Sequence, residues 1–257
     1  MRQAVLAVHF WVNCPGAEKA MDSMDKVIKE AAPGVDFFRV LANASSAGKA
    51  FPLGLDETFC RLEKEGYTHI AVQSTYLLDG VKYREIKACV DKWKPRFTQL
   101  LLADPLLSST GDLRYLAEGL NNMYPNKEGE TLVIIGHGTD CFSNVVYPAL
   151  QGIFHTMGRD DIVIGTIEGW PDFKNVIKWL SCIPSTDLHL VPLMMTAGKH
   201  ACRDIAGEKD SWKSKLEQAE YQVHCTIKGL GGTPIIQQLM VRHLTEVMGQ
   251  LKCMERR

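Results

Sequence analysis

Eight apolar runs, each followed by a segment of different periodicity, constrain this chain more than any other feature. They cover residues 4–12, 36–42, 69–78 and 97–103 in the first half, and 131–135, 161–166, 187–195 and 223–227 in the second. Short apolar runs bounded by turn residues read as buried strands. Between them lie helix-like segments. In "AEKAMDSMDKVIKEA" the residues Met21, Met24, Ile28 and Ala31 share one face, and Pro33-Gly34 ends the segment. In "TPIIQQLMVRHLTEVMGQL" Thr233 suits an N-cap and Pro234 the first turn. Ile236, Leu239, Met240, Leu244, Val247 and Met248 then form a stripe that reads as core. Four β-α units followed by four more predict an α/β protein of two lobes, each a mainly parallel four-stranded sheet flanked by helices.

With 257 residues, each lobe has enough chain to bury its own core. The stretch "NNMYPNKEGE", rich in Asn, Pro, Gly and charge, marks the junction. The expected lobes are therefore 1–125 and 126–257, with the last helix free to pack across both. Ligands of open parallel sheets bind beyond the carboxyl ends of the strands. Two such sheets facing each other would place the active site in an interdomain cleft. His9 and His137 end the first strands of their halves, and Tyr76 and His200 follow the third strands.

Composition narrows the partners. The formal charge is −1, and Lys and Arg form no basic block, which argues against nucleic acid. No segment reaches the roughly 18–20 apolar residues of a membrane span, so no membrane partner is expected. The first residues, "MRQAVLAVHFWVNCPG", lack a cleavage site and read as a strand rather than a signal, which places the chain in the cytoplasm. The 8 cysteines include no Cys-x-x-Cys pair and read as reduced core residues.

Three stretches carry chemistry. In "TLVIIGHGTD" an apolar run stops at His137 between Gly136 and Gly138. The glycines remove bulk and permit unusual dihedrals, so that a ligand can approach closely. An imidazole there can bind a metal, move a proton or cap the next helix. In "LVPLMMTAGKHACRDIAG" a strand ends near Met195, and Gly198 precedes His200, with Lys199, Arg203 and Asp204 alongside. Two neutral imidazoles at comparable strand ends suit Co²⁺, Ni²⁺, Fe²⁺ or Zn²⁺. In "IGTIEGWPDF" Glu168 follows a strand, where a carboxylate can accept protons or attract a cation.

"GHGT", "GTIEGWPD", "VPLMMTAGKHACRDIAG", "DSWKSKLE" and "IKGLGGTPII", in this order and spacing, resemble the anaerobic sirohydrochlorin cobaltochelatase family of class II tetrapyrrole chelatases. "VQSTYLLDGVKYREI" resembles that family's first-lobe cleft segment. The match is dense over 131–247 and weaker before it. The resemblance implies a bilobal fold that inserts a divalent metal, Co²⁺ as metal substrate with Fe²⁺ or Ni²⁺ as variants, into sirohydrochlorin or a related tetrapyrrole. It needs neither ATP nor an organic cofactor. It assigns His137 and His200 as catalytic residues that bind the metal and assist loss of the pyrrole protons. His9, Phe10, Trp11, Tyr76, Gly136, Gly138, Glu168 and Met195 line the pigment. A homo-oligomer is compatible with this reading.

The first half departs from the family pattern. "HFWVNCPG" stands where the family has a small, hydroxylated Ser-Phe-Gly-Thr-like loop, and Tyr76 stands where it carries histidine. Val81 and Lys82 occupy the place of a family glutamate, with Glu85 one turn later. A tyrosine and an extra histidine are potential axial ligands to haem iron, and Trp11 could stack on a macrocycle. The alternative is thus a descendant that binds haem or another tetrapyrrole, or removes metal from haem.

Overall fold

The computed structural model describes residues 2–10, 17–42, 54–198 and 200–253, without the side chains of His200, Lys252 and Cys253. Among these residues the chain divides into two compact units. One comprises 1–108 together with 231–257, and the other 109–230.

In the first unit the order is β1 (Gln3–His9), α1 (Ala17–Ala31), β2 (Asp36–Leu41), α2 (Leu55–Lys64), β3 (His69–Ser74), α3 (Val81–Trp93) and β4 (Gln99–Leu102). The strands form one parallel sheet in the order β2-β1-β3-β4. β1 and β3 are buried on both faces, as strands covered by helices on both sides are, although His9, His69, Gln73 and Ser74 bring polar groups into them. The stripe expected on α1 is buried at Met21, Met24 and Ile28, with Ala31 half-buried, and Asp25 is buried among them.

The second unit follows as α4 (Thr110–Met123), β5 (Glu130–Gly136), α5 (Val146–Thr156), β6 (Ile162–Thr166), α6 (Phe173–Leu180), β7 (Asp187–Leu193), α7 (Trp212–Gln218) and β8 (Gln222–Cys225). Its sheet is also parallel, in the order β6-β5-β7-β8. Ser109 caps α4 by accepting from the Asp112 N–H at 3.1 Å, and Asp172 caps α6 by accepting from the Asn175 N–H at 3.0 Å. One core lies under Trp212, Val176, Leu188, Leu190, Ala201 and Ile205.

The last helix, α8 (Pro234–Cys253), corrects the expected division at residue 125. It returns to the first unit, packing on α1, β3 and β4, while α4 belongs with the second. Its predicted stripe, Ile236, Leu239, Met240, Leu244, Val247 and Met248, is buried throughout, so the methionines are core. The Gln237 amide donates to Ser23 Oγ on α1 at 2.6 Å. No helix among the described residues is long and apolar enough to cross a membrane.

Several strands are shorter than their apolar runs. β3 stops at Ser74 and β7 at Leu193, which leaves Tyr76 and Met195 in the following loops. β4 takes only Gln99–Leu102 of the run 97–103, after a 3₁₀ turn at Lys94–Arg96. Apolar content cannot separate a strand from the packed loop that continues it.

Candidate active site

In each sheet the chain leaves the first strand to one side and reaches the third on the other. The strand order therefore reverses between β1 and β3, and again between β5 and β7. A crevice opens at such switch points beyond the carboxyl ends. His137 directly follows β5, and the helical turn His200–Ile205 follows β7. The second unit thus brings both sequence-predicted metal ligands to the loops of one switch point.

His137 is held by its own loop. Its Nδ1 lies 3.2 Å from the Gly138 carbonyl and 3.7 Å from Glu168 Oε2. A carbonyl only accepts, so Nδ1 is the donor in this contact. Glu168 is brought alongside by the backbone. Its N–H donates to the His137 carbonyl at 2.8 Å, and the Ile167 N–H donates to that of Gly136 at 3.0 Å. Gly169 and Pro171 are tied to Thr166, whose Oγ1 accepts from the Gly169 N–H at 3.1 Å and donates to the Pro171 carbonyl at 3.0 Å. Asn144 clips the two loops together, accepting from the Thr139 N–H at 3.1 Å and donating to the Trp170 carbonyl at 2.5 Å.

Gly138 has the unusual dihedral expected of it, and the close approach that both flanking glycines allow is made by protein. A Cβ on Gly136 would lie 2.1 Å from the Tyr147 ring. One on Gly138, at φ +83°, would lie 2.3 Å from the Gly169 nitrogen. The space they leave is filled by protein: Tyr147 under the strand end and the Glu168 loop against it. Tyr147 accepts from the Gly138 N–H at 3.2 Å, and burial raises its pKa, so the phenol stays protonated.

Phe142, Val145 and Trp170 expose apolar surface on these same loops, Phe142 at 83% and Trp170 at 51%. None of the three was a candidate from sequence. Their place in segments already marked by "GHGT" and "GTIEGWPD" was the available signal. Met195 is half-buried, and the Leu230 N–H donates to the carbonyl of the adjacent Met194 at 2.8 Å. Ala201 and Ile205 anchor the turn that His200 opens, and Arg203 pairs outward with Asp204 at 2.6 Å. Lys199 and the His200 side chain lie outside the description.

The first unit treats its candidates differently. His9 is 1% exposed, with Nε2 2.8 Å from Asp25 Oδ1, and Asp25 Oδ2 accepts from Arg39 Nε. His9 Nδ1, Ser74 Oγ and the Tyr76 hydroxyl are buried at the carboxyl end of the sheet without hydrogen-bond partners among the described residues. Burial raises the Tyr76 pKa, with Glu85 adding to the shift. Phe10 is 39% exposed, and Trp11 lies outside the described residues. Glu85 forms an exposed pair with Lys82 at 2.8 Å. Asp25 and Arg39 were missed from sequence, although an aspartate on the apolar face of α1 was the visible anomaly.

Comparison with known proteins gives the family and the fold. A family model described as Cobalt chelatase (CbiK) matches residues 3–249. The sirohydrochlorin cobaltochelatase of Salmonella typhimurium is 30% identical, over 96% of this chain and 97% of its own. The sirohydrochlorin cobaltochelatase CbiKC of Nitratidesulfovibrio vulgaris is 28% identical, over 97% and 92%. Among solved structures, SirB from Bacillus subtilis with Fe³⁺ superposes with a TM-score of 0.70 at 17% identity, covering 98% of this chain and 99% of that one. CbiX, the terminal enzyme of sirohaem synthesis in denitrifying bacteria, gives 0.57 at 14%, covering 95% and 99%. With the family model spanning nearly the whole chain, the protein belongs to the cobalt chelatase (CbiK) family.

Proposed function

We propose that this chain inserts Co²⁺ into sirohydrochlorin or a closely related tetrapyrrole, without ATP, at the carboxyl end of the second sheet. The observation that supports this most is the setting of His137. Its imidazole, at the end of β5, stands beside the Glu168 carboxylate, on loops that expose Phe142 and Trp170.

Insertion has two demands. The cation must lose water, and two pyrrole N–H protons must leave as it enters the ring. His137 and His200 are the ligands of this reading. Two imidazoles and a carboxylate hold a divalent ion without closing its coordination sphere, so it can be passed on. Glu168, more than half exposed, is the acceptor for a departing proton. The apolar side chains give a flat macrocycle a surface to lie on.

A second reading, pigment binding without insertion, is favoured by one feature. Three buried polar atoms without partners at the carboxyl end of the first sheet are what a bound polar ligand would satisfy. Anaerobic absorbance of sirohydrochlorin with Co²⁺ separates the two. Insertion faster than the spontaneous rate with the wild-type protein, and lost in His137→Ala, is the expected result. Tight pigment binding with no acceleration, by a folded protein, would replace chelation with carriage and make haem the next ligand to test.

A further inference from the structure

The second sheet carries another group of metal-binding side chains at its opposite end. Glu130 is the first residue of β5, and His189 and His224 are the third residues of β7 and β8. Glu130 registers with Asp187, and His189 with His224. Strand alternation then places all four on one face. Six residue steps along β5 separate Glu130 from the His137 end, roughly 20 Å at the usual rise.

Their nitrogens and oxygens converge. His189 Nδ1 lies 3.7 Å from Glu130 Oε1, and His224 Nε2 lies 3.2 Å from Glu130 Oε2. One ligand atom from each of the three lies within 4.8 Å of the others. The outer nitrogens also have oxygen partners. His189 Nε2 is 2.8 Å from Thr226 Oγ1, and His224 Nδ1 is 3.6 Å from Asp187 Oδ1. An oxygen behind each ring is the arrangement that orients an imidazole toward a metal.

We propose that Glu130, His189 and His224 form a second cation site, distinct from that of His137, which takes a borderline divalent transition ion such as Zn²⁺. Two imidazoles and one carboxylate with a fourth position left to water is a donor set such ions accept. The fit requires movement. The two rings stack at 4.3 Å and 23°, and bonds of about 2.0–2.2 Å draw tetrahedral ligands to roughly 3.4 Å apart. His224, 46% exposed on the edge strand, is the residue that tilts out of the stack. Lys127 Nζ, 3.3 Å from Glu130 and 59% exposed, is the counter-charge that the ion displaces. A cavity of about 220 Å³, lined by Tyr124, Lys127, Glu130, Arg159 and His189 among others, gives access from this face. Once bound, the ion clips the four-residue β8 to the centre of the sheet.

The test is titration with Zn²⁺ alone, by calorimetry, on the full-length His137→Ala/His200→Ala protein, where the carboxyl-end histidines cannot contribute. One equivalent should bind and raise the unfolding temperature. Adding His224→Gln or Glu130→Gln should weaken that binding by more than about tenfold. In an otherwise wild-type chain, His224→Gln should leave the circular dichroism spectrum and chelation of sirohydrochlorin unchanged. Absence of binding in the double variant, or equal binding after His224→Gln, would overturn the proposal. Neither result touches the reading of the His137 site.

Discussion

At residue scale His137 is set by its own loop, with Nδ1 facing the Gly138 carbonyl and Glu168 alongside. In the proposed reaction the apolar residues beside it would meet the pigment rather than the metal. Phe142→Ala and Trp170→Ala should raise KM for the tetrapyrrole roughly tenfold and leave stability within about 0.5 kcal/mol, since both side chains are exposed. Steady-state kinetics with a urea melt would check both, and an unchanged KM would remove these loops from the pigment surface. Tyr76 makes a pH prediction. Its phenol is raised by burial, so above about pH 10 the unfolded chain loses a proton that the folded one keeps. Stability should fall as pH rises past that point, and Tyr76→Phe should reduce the fall. At neutral pH the same change should cost nothing measurable, because it removes a hydroxyl without a partner.

At the scale of elements, α1 is fixed to the sheet by charge as well as by its apolar face. Asp25 is buried between His9 at the end of β1 and Arg39 on β2, and Arg39 also reaches Asp22 at 2.5 Å. Removing the central carboxylate leaves the buried His9 without its partner and Arg39 with Asp22 alone. Asp25→Ala should therefore destabilise by about 3 kcal/mol. Asp25→Asn, which keeps the shape and one acceptor, should cost less. Urea unfolding reads both, and a loss under about 1 kcal/mol in the alanine variant would show that the network is not holding the helix. The periodicity of α1 was legible because Met21, Met24 and Ile28 repeat at helical spacing. The network was not, since its members lie on three different elements and share no local pattern.

For the molecule as a whole, the chain order and the folding units do not coincide. Residues 109–230 are continuous and carry their own sheet and core, whereas 1–108 depend on 231–257 for the helix over β3, β4 and α1. A fragment of 109–230 should fold with a cooperative thermal transition. A fragment of 1–108 should not, until 231–257 is supplied on the same chain by a linker. Circular dichroism melts of the three would decide it, and a cooperative 1–108 fragment would show that α8 only decorates the sheet. The expected division at 125 followed the turn-rich "NNMYPNKEGE", where local composition marks a break in secondary structure. That signal holds no information about which sheet a later helix will cover.

The sequence by itself determined the eight strands, their parallel pairing in two sets and the stripe of α8, because burial on both faces writes continuous apolar runs and helices write their own period. It also marked His137, Glu168 and His200, since strand ends in such sheets are where side chains meet ligands. Only the tertiary structure decided what the glycines around His137 accommodate, how His9 is engaged and where α8 belongs. It alone brought Glu130, His189 and His224 together from three strands. Each of these depends on contacts between residues far apart in the chain, and such contacts leave no period in the sequence for a local reading to find.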